Sequence, residues 1–360
     1  MNKHLPHDLK QMQSLPLEAK IVMTQQRIRQ WYDYWDGEVY VSFSGGKDST
    51  VLKHIVDNTP GVYDVPAVFV NTGLEYPEIQ RFVRDIKAGK YPCFNSNVEI
   101  MRPEMRFDEV LKKYGYPVVS KEISQKVHDA KSARRHGNYE SCAERQFNGN
   151  YISKNGKTNA FDIQKWKFML DAPFDVSHMC CDVMKKKPAH SYERETGRHP
   201  IIGTMAVESK LRYSSWLKNG CNAFESKRPS SQPMSFWTEQ DVLLYIKKFD
   251  VPYCSVYGDI RVKPPADAEE GQTNIIDFLG CYEPEDTLET TGCDRTGCMF
   301  CMFGCHLEKG ENRFQRLQRT HPRQYEYCIG GGEMVDGKWQ PSKEGLGLGK
   351  VLDYIGVKYD

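Results

Sequence analysis

The chain of 360 residues lacks any apolar run approaching the roughly 18–20 residues of a membrane span, so no transmembrane helix and no membrane partner are expected. Its first residues, MNKHLPHDLKQMQSLPLEAK, lack the apolar core and cleavage site of a secretory signal, and the expected location is cytoplasmic. Net charge is nearly absent too: 49 Lys and Arg stand against 48 Asp and Glu, a formal +1. Any surface for nucleic acid must therefore be local rather than a property of the whole chain. There is no internal repeat or low-complexity stretch, and 39% hydrophobic with 27% charged residues is ordinary globular usage over about two domains.

Cysteine is the excess. Twelve cysteines without an export signal are poorly explained as disulfides, because the cytosol keeps thiols reduced. Cys281, Cys293, Cys298, Cys301 and Cys305 fall within one 25-residue stretch, and Cys180 and Cys181 are adjacent. That distribution points to metal or redox chemistry.

Residues 17–35 space apolar groups three and four apart and predict an amphipathic helix. The run EVYVSF (38–43) predicts a buried strand ending in SGGKDS (44–49), with a helix from Ser49 to 57. Strands over 66–71 and 97–101 alternate with helices over 76–89 and 107–115, and 199–205 reads as a later strand. This alternation predicts an α/β fold with a doubly wound, mostly parallel sheet and a Cys-rich C-terminal region. The expected organisation is an N-terminal helical segment (1–35), a nucleotide-binding domain (36–260) and a Cys-rich region (261–360). Within the second, 121–157 carries eight Lys or Arg against four acids and reads as a polar insertion or lid. Residues 255–292, acidic and rich in Pro and Gly, read as another insertion.

The strongest chemistry lies in strand–SGGKDS–helix. Gly45 and Gly46 allow a positive-φ turn and close backbone approach to a ligand. Loop and helix N–H groups then converge on one point with the helix dipole behind them, a cradle for pyrophosphate. Lys47 adds charge there, and Asp48 is placed to hold Mg²⁺ or orient the nucleotide. This is not a Walker loop, since GxxxxGK[ST] is absent.

Ser44-Gly45-Gly46-Lys47-Asp48-Ser49 resembles the PP-loop of the adenine nucleotide alpha-hydrolases. Four further segments narrow the resemblance to the branch containing phosphoadenosine phosphosulfate (PAPS) reductase: VNTGLEYPEI (70–79), CCDVMKKKP (180–188), GTMAVESKLR (203–212) and PMSFWTEQDVLLYIKKFDVPYCSVY (233–257). The resemblance, over about 38–305, implies an adenine nucleotide at the carboxyl ends of parallel strands, which agrees with the switch-point rule. It also implies that Asn71, Thr72 and Gly73 pack by the adenosine, and that Lys185 contacts phosphate or sulfate. Three departures are visible: no cysteine follows Cys328, Met205 stands where the family has Arg, and the SGGKDS loop has the form found in ATP-cleaving relatives. The chain therefore also resembles the DNA phosphorothioation and tRNA thiolation sulfurtransferases, in which ATP activates an acceptor before sulfur replaces oxygen.

Cys293-x4-Cys298-x2-Cys301-x3-Cys305 suits zinc or a [4Fe–4S] cluster. The apolar neighbours Met299, Phe300, Met302 and Phe303 favour iron. The resemblance adds to this, because Arg295-Thr296-Gly297-Cys298-Met299-Phe300-Cys301 repeats the R-x-G-C-x-x-C of the phosphorothioation enzymes. Cys298 and Cys301 belong to every ligand scheme, completed by Cys180 and Cys181 or, locally, by Cys293 and Cys305. Cys93, Cys142, Cys221 and Cys254 read as buried small hydrophobes, and Cys328 is a candidate sulfur carrier.

Glu208 and Arg212 lie just beyond the strand at 199–205, where Arg212 suits a phosphate contact and Glu208 either the nucleotide or a helix cap. KSARRHGNYE (131–140), with Tyr139 and Tyr151, is either a solvated face or a grip on nucleic acid. Thr238 reads as an N-cap with Asp241, and Trp237 as core. The expected mechanism is adenylation by ATP with Mg²⁺, pyrophosphate leaving on the loop near Lys47, then displacement of AMP by sulfur from a donor such as a cysteine desulfurase. Reduction of a phosphosulfate with an external thiol is the alternative enzyme, and a nucleotide-sensing, nucleic-acid-binding subunit the non-enzymatic one.

Overall fold

The computed structural model describes residues 3–152, 163–263 and 287–360. Cys281, Lys154, Lys157 and much of the acidic insertion lie outside the described residues. The chain divides into two compact units whose segments alternate along the sequence. The first comprises residues 1–71, 75–102 and 189–296, the second 72–74, 103–188 and 297–360.

The first unit is built on a sheet. Its strands are β1 (Val39–Ser42), β2 (Ala67–Val70) and β3 (Val98–Met101); after β4 (Val118–Val119), which belongs to the second unit, follow β5 (His199–Ile202), β6 (Asn222–Ala223) and β7 (Ser230–Ser231). The order is β3-β2-β1-β5-β7-β6, parallel throughout except for the β6–β7 edge pair. Val39, Tyr40 and Val41 are buried, as a strand covered on both faces requires. After β1 the chain winds outward through β2 to β3, then returns to place β5 on the other side of β1. The β1–β5 boundary is thus the switch point.

Helices α1 (Pro6–Gln13), α2 (Leu17–Tyr34), α3 (Lys47–Asp57) and α4 (Pro77–Lys87) accompany the first strands. In α4, Ile79, Phe82, Val83 and Ile86 recur at spacings of three and four and are buried together. At about 1.5–3 kcal/mol per side chain, this burial holds the helix down far more firmly than propensity does. The strand expected over 199–205 stops at Ile202, and Ala206–Glu208 forms a 3₁₀ turn. At Gly203 a Cβ would stand 3.1 Å from the Asp48 carbonyl oxygen, so glycine permits the close approach of this backbone to α3.

In the second unit β4 pairs in parallel with Met302–Phe303. The segment expected to be a polar insertion or lid folds instead into helices Lys121–Arg135 and Cys142–Phe147. Ser120 caps the first through the Ile123 N–H, and Ile123, Val127 and Ala130 form its buried face. The basic residues are spent on structure. Lys131 donates to the carbonyls of Ala172 and Phe174 at 2.7 Å each. Arg134 pairs with Glu144 at 2.6 Å and Asp171 at 3.0 Å, and Arg135 pairs with Asp175. Tyr139 is exposed.

Candidate functional site

In the first unit, β1 runs into a loop where Gly45 has φ +72° and Gly46 is the N-cap of α3. The helix begins at Lys47, two residues before the expected Ser49, so Lys47 and Asp48 both lie in its first turn. A Cβ on Gly45 would stand 2.8 Å from Ile79 and 2.9 Å from Val83, so both conformation and packing demand glycine there. The loop is braced internally. Ser49 Oγ donates to the Gly46 carbonyl at 2.9 Å and lies 2.9 Å from Ser44 Oγ, which accepts from the Gly46 N–H at 3.3 Å.

Lys47 is buried, and its ammonium is held by the Asp294 carbonyl at 2.5 Å and the Glu239 carboxylate at 2.9 Å. Its backbone N–H donates to the Tyr257 hydroxyl at 3.1 Å, which is 2.6 Å from Thr296 Oγ1. Asp48 is different: its Oδ1 is buried with no hydrogen-bond partner. Burial, opposed by Lys47, raises the pKa of Asp48. An orphaned buried carboxylate oxygen in the first turn of this helix fits a cation that accompanies phosphates. Glu208 caps the 3₁₀ turn by accepting from the Met205 N–H at 2.9 Å, and it pairs with Arg212 and with Arg295 at 3.1 Å. The capping role weighed for Glu208 is therefore present, and Arg212 is engaged by it. Asn71 belongs to this unit, whereas Thr72 and Gly73 are counted with the second.

Thr238 caps Glu239–Lys248, with Asp241 returning a bond to the Thr238 N–H at 2.7 Å, and Trp237 is fully buried, as expected. Asp241 also holds the buried Lys20 at 2.7 Å, a partner 221 residues away that the motif did not reveal. Tyr257, Thr296, Glu239 and Asp294 are likewise site residues that sequence reading missed. Tyr257 ends the fifth quoted motif, so only its place above the loop was hidden.

In the second unit, Cys180 and Cys181 run into a single π-type turn, Asp182–Lys186. The two thiols hydrogen-bond, and this bond, then burial, drives the Cys180 pKa far up. The same bond lowers Cys181 to about 6 against its burial, helped by Lys121 and Lys185. Cys298 and Cys301 also act electrostatically on Cys180, so four sulfurs share one neighbourhood. Arg313 donates to the Cys301 carbonyl at 3.0 Å. Burial raises the Cys301 thiol, and pushes Cys305 up to about 11. The Cys305 thiol donates to the Met302 carbonyl at 3.0 Å, and Cys293 belongs to the first unit. Among the described residues, no group of three or more His, Cys, Asp or Glu is gathered as a metal ion requires.

The remaining cysteines divide. Cys221 and Cys254 are buried as expected, Cys93 is half-buried, and Cys142 is exposed at the start of its helix. Cys328 is buried, and burial raises its thiol well above the ordinary value. All eleven described cysteines are free thiols. No helix among the described residues is long and apolar enough to cross a membrane.

A glycine-turned phosphate loop at the switch point of a parallel sheet defines a PP-loop adenine nucleotide alpha-hydrolase fold. Residues 38–136 and 139–302 match the model of the phosphoadenosine phosphosulfate reductase domain, and the chain belongs to that family of PP-loop enzymes. No curated protein matches the chain. Similar solved structures include PAPS reductase from Candida auris in a phosphate complex, at 17% identity, 71% of this chain, 90% of that one and TM-score 0.36. The FMN adenylyltransferase of Candida glabrata with FMN and AMPCPP shares 11% identity over 74% of this chain and 73% of that one, TM-score 0.36. The U34-tRNA thiolase NcsA of Methanococcus maripaludis with its [4Fe-4S] cluster shares 16% over 66% of each, TM-score 0.29. At these TM-scores the likenesses are too remote to bear on function.

Proposed function

We propose that this chain reduces an adenosine phosphosulfate with an external thiol. A complete phosphate loop inside a match to the reductase domain carries this reading. The first turn of α3 and Lys47 hold the nucleotide phosphates, with Arg212 of the same unit as a further anion contact. A thiolate attacks the sulfate sulfur, and the sulfur–oxygen bond to the nucleotide breaks with its electron pair leaving on the phosphate oxygen. A second thiol displaces sulfite and leaves a disulfide, so two thiols supply the two electrons. The loop's contribution is to hold donors fixed where charge develops on the departing phosphate.

A second reading has one observation in its favour, the unpartnered buried oxygen of Asp48. Here ATP binds with Mg²⁺ at Asp48, whose charge offsets that of the phosphates. An acceptor oxygen attacks the α-phosphorus, pyrophosphate leaves onto the loop, and a sulfur donor then displaces AMP. For a [4Fe–4S] cluster, Cys180, Cys181, Cys298 and Cys301 are the set the second unit favours. Cluster ligands stand farther apart than those of one ion, so the lack of a tight group among the described residues weighs more against zinc than against iron.

The test uses anaerobically purified protein with ³⁵S-labelled phosphosulfates plus dithiothreitol or thioredoxin, and in parallel α-³²P-labelled ATP. Sulfite release supports reduction. AMP and pyrophosphate from ATP without sulfite release moves the assignment to the second reading, and neither product from any substrate defeats both. Iron and sulfide analysis of wild type beside Cys298→Ser decides the cluster: iron-free wild-type protein excludes it.

A further inference from the structure

The groups of Lys47 that a phosphate would need are already taken, and every occupant is a protein group of the first unit. The N–H is met by the Tyr257 hydroxyl at 3.1 Å, and the ammonium by the Asp294 carbonyl at 2.5 Å and by Glu239 at 2.9 Å. Tyr257 is buried, its ring 5.3 Å beneath the same ammonium. A Cβ on Gly46 would stand 3.1 Å from both the Tyr257 hydroxyl and Thr296 Oγ1, so this hydroxyl pair sits directly against the glycine loop. The segment Asp294–Thr296 is fastened there three times: Asp294 to Lys47, Arg295 to Glu208 at 3.1 Å, and Thr296 to Tyr257 at 2.6 Å. It leads along the chain into Gly297 and Cys298.

A neutral phenol is a weaker acceptor for a helix-terminal N–H than an anionic phosphate oxygen. We infer that Tyr257 is a positioning residue whose hydroxyl stands in for a phosphate oxygen, keeping the loop set, and that nucleotide displaces it and unfastens Asp294–Thr296. Binding at the loop is thereby reported to the segment that leads into the Cys298–Cys301 pair. The exchange breaks the bonds of the Tyr257 hydroxyl to the Lys47 N–H and to Thr296, and returns a charge-assisted one to the N–H. This inference rests on the reading that the loop takes nucleotide phosphates.

The test is calorimetric titration of the full chain with α,β-methylene-ATP and with adenosine phosphosulfate, alongside hydrogen exchange of the amides of 292–300. Tyr257→Phe keeps the ring and removes the competing hydroxyl, so affinity is expected to tighten about fivefold. In wild type, ligand should speed exchange over 294–296, and in Tyr257→Phe that exchange should be fast without ligand. Unchanged or weaker affinity in a folded Tyr257→Phe overturns the inference, as does ligand-induced slowing of exchange in wild type. If Tyr257→Phe fails to fold, Thr296→Val decides: it should lose the ligand-induced rise, and retention of that rise overturns the coupling. Failure of wild type to bind either nucleotide would instead overturn the reading of the loop itself.

Discussion

The phosphate loop of the first unit and the thiol cluster of the second differ in how they are made. The loop is contiguous, six residues (Ser44–Ser49) that run into the first turn of α3, and its donors are backbone groups fixed by Gly45 and the helix start. The cluster draws on residues 180–181 and 298–301, more than a hundred positions apart, in the unit where β4 pairs with Met302–Phe303 and Arg313 donates to the Cys301 carbonyl. Val119, in that same short pair, holds φ +61°, a conformation that costs a β-branched residue roughly 1–3 kcal/mol and persists only where surrounding structure enforces it. A contiguous site can be recognised from a motif, whereas a dispersed one is known only as a list of candidates.

The comparison makes Lys47 the point of greatest sensitivity in the first unit. Lys47→Ala is expected to lower nucleotide turnover about 100- to 1000-fold while the melting temperature stays within a few degrees, as read by the assays above and by circular dichroism. Unaltered turnover would mean that the loop is not the reacting site. In the second unit the corresponding cation is structural. Arg134→Ala leaves the buried Glu144 carboxylate unpaired and should cost about 2–3 kcal/mol in urea unfolding, the usual loss for a buried pair discounted for partial exposure of the arginine. Nucleotide affinity should not change; a stable Arg134→Ala chain would mean the arginine is free for a partner after all.

Asp48→Asn sharpens the contrast further. The raised pKa means that the charged carboxylate is penalised in the folded state, a penalty absent at pH below the unfolded value and imposed as pH rises through the folded one. The amide should therefore raise the thermal midpoint at pH 7 while abolishing any Mg²⁺ dependence of turnover. A lowered midpoint would show that the carboxylate is structurally required. The smallest effect concerns Lys131, whose pKa burial lowers to about 8. Between about pH 8 and the ordinary lysine value near 10.5 the unfolded chain binds more protons than the folded one, so stability rises with pH. The midpoint of wild type minus that of Lys131→Met should increase over that window, and a flat difference would place the ammonium in a better-solvated position.

Much of the first unit was legible because its signals are local. The run Val39–Ser42 followed by two glycines, and the apolar spacing of Ile79, Phe82, Val83 and Ile86, specify strand, turn and helix without knowledge of what they pack against. The two-residue strands Asn222–Ala223 and Ser230–Ser231 carry no such pattern and were missed. The partners of the basic run at 131–135 were hidden for a related reason: charge density is visible in sequence, but the carbonyls of Ala172 and Phe174 and the acids at 144, 171 and 175 are not.

The amino-acid order alone thus determined the alternation of strands and helices, the phosphate loop and the membership of the thiol list, since each depends on side chains within a few residues of one another. Tertiary structure decided which thiols become neighbours, that Lys47 meets Asp294 and Glu239, that Asp48 is left with an unpartnered oxygen and that Tyr257 rests on the loop. Those outcomes depend on desolvation and on contacts between residues up to some 250 positions apart, energies that no local pattern encodes.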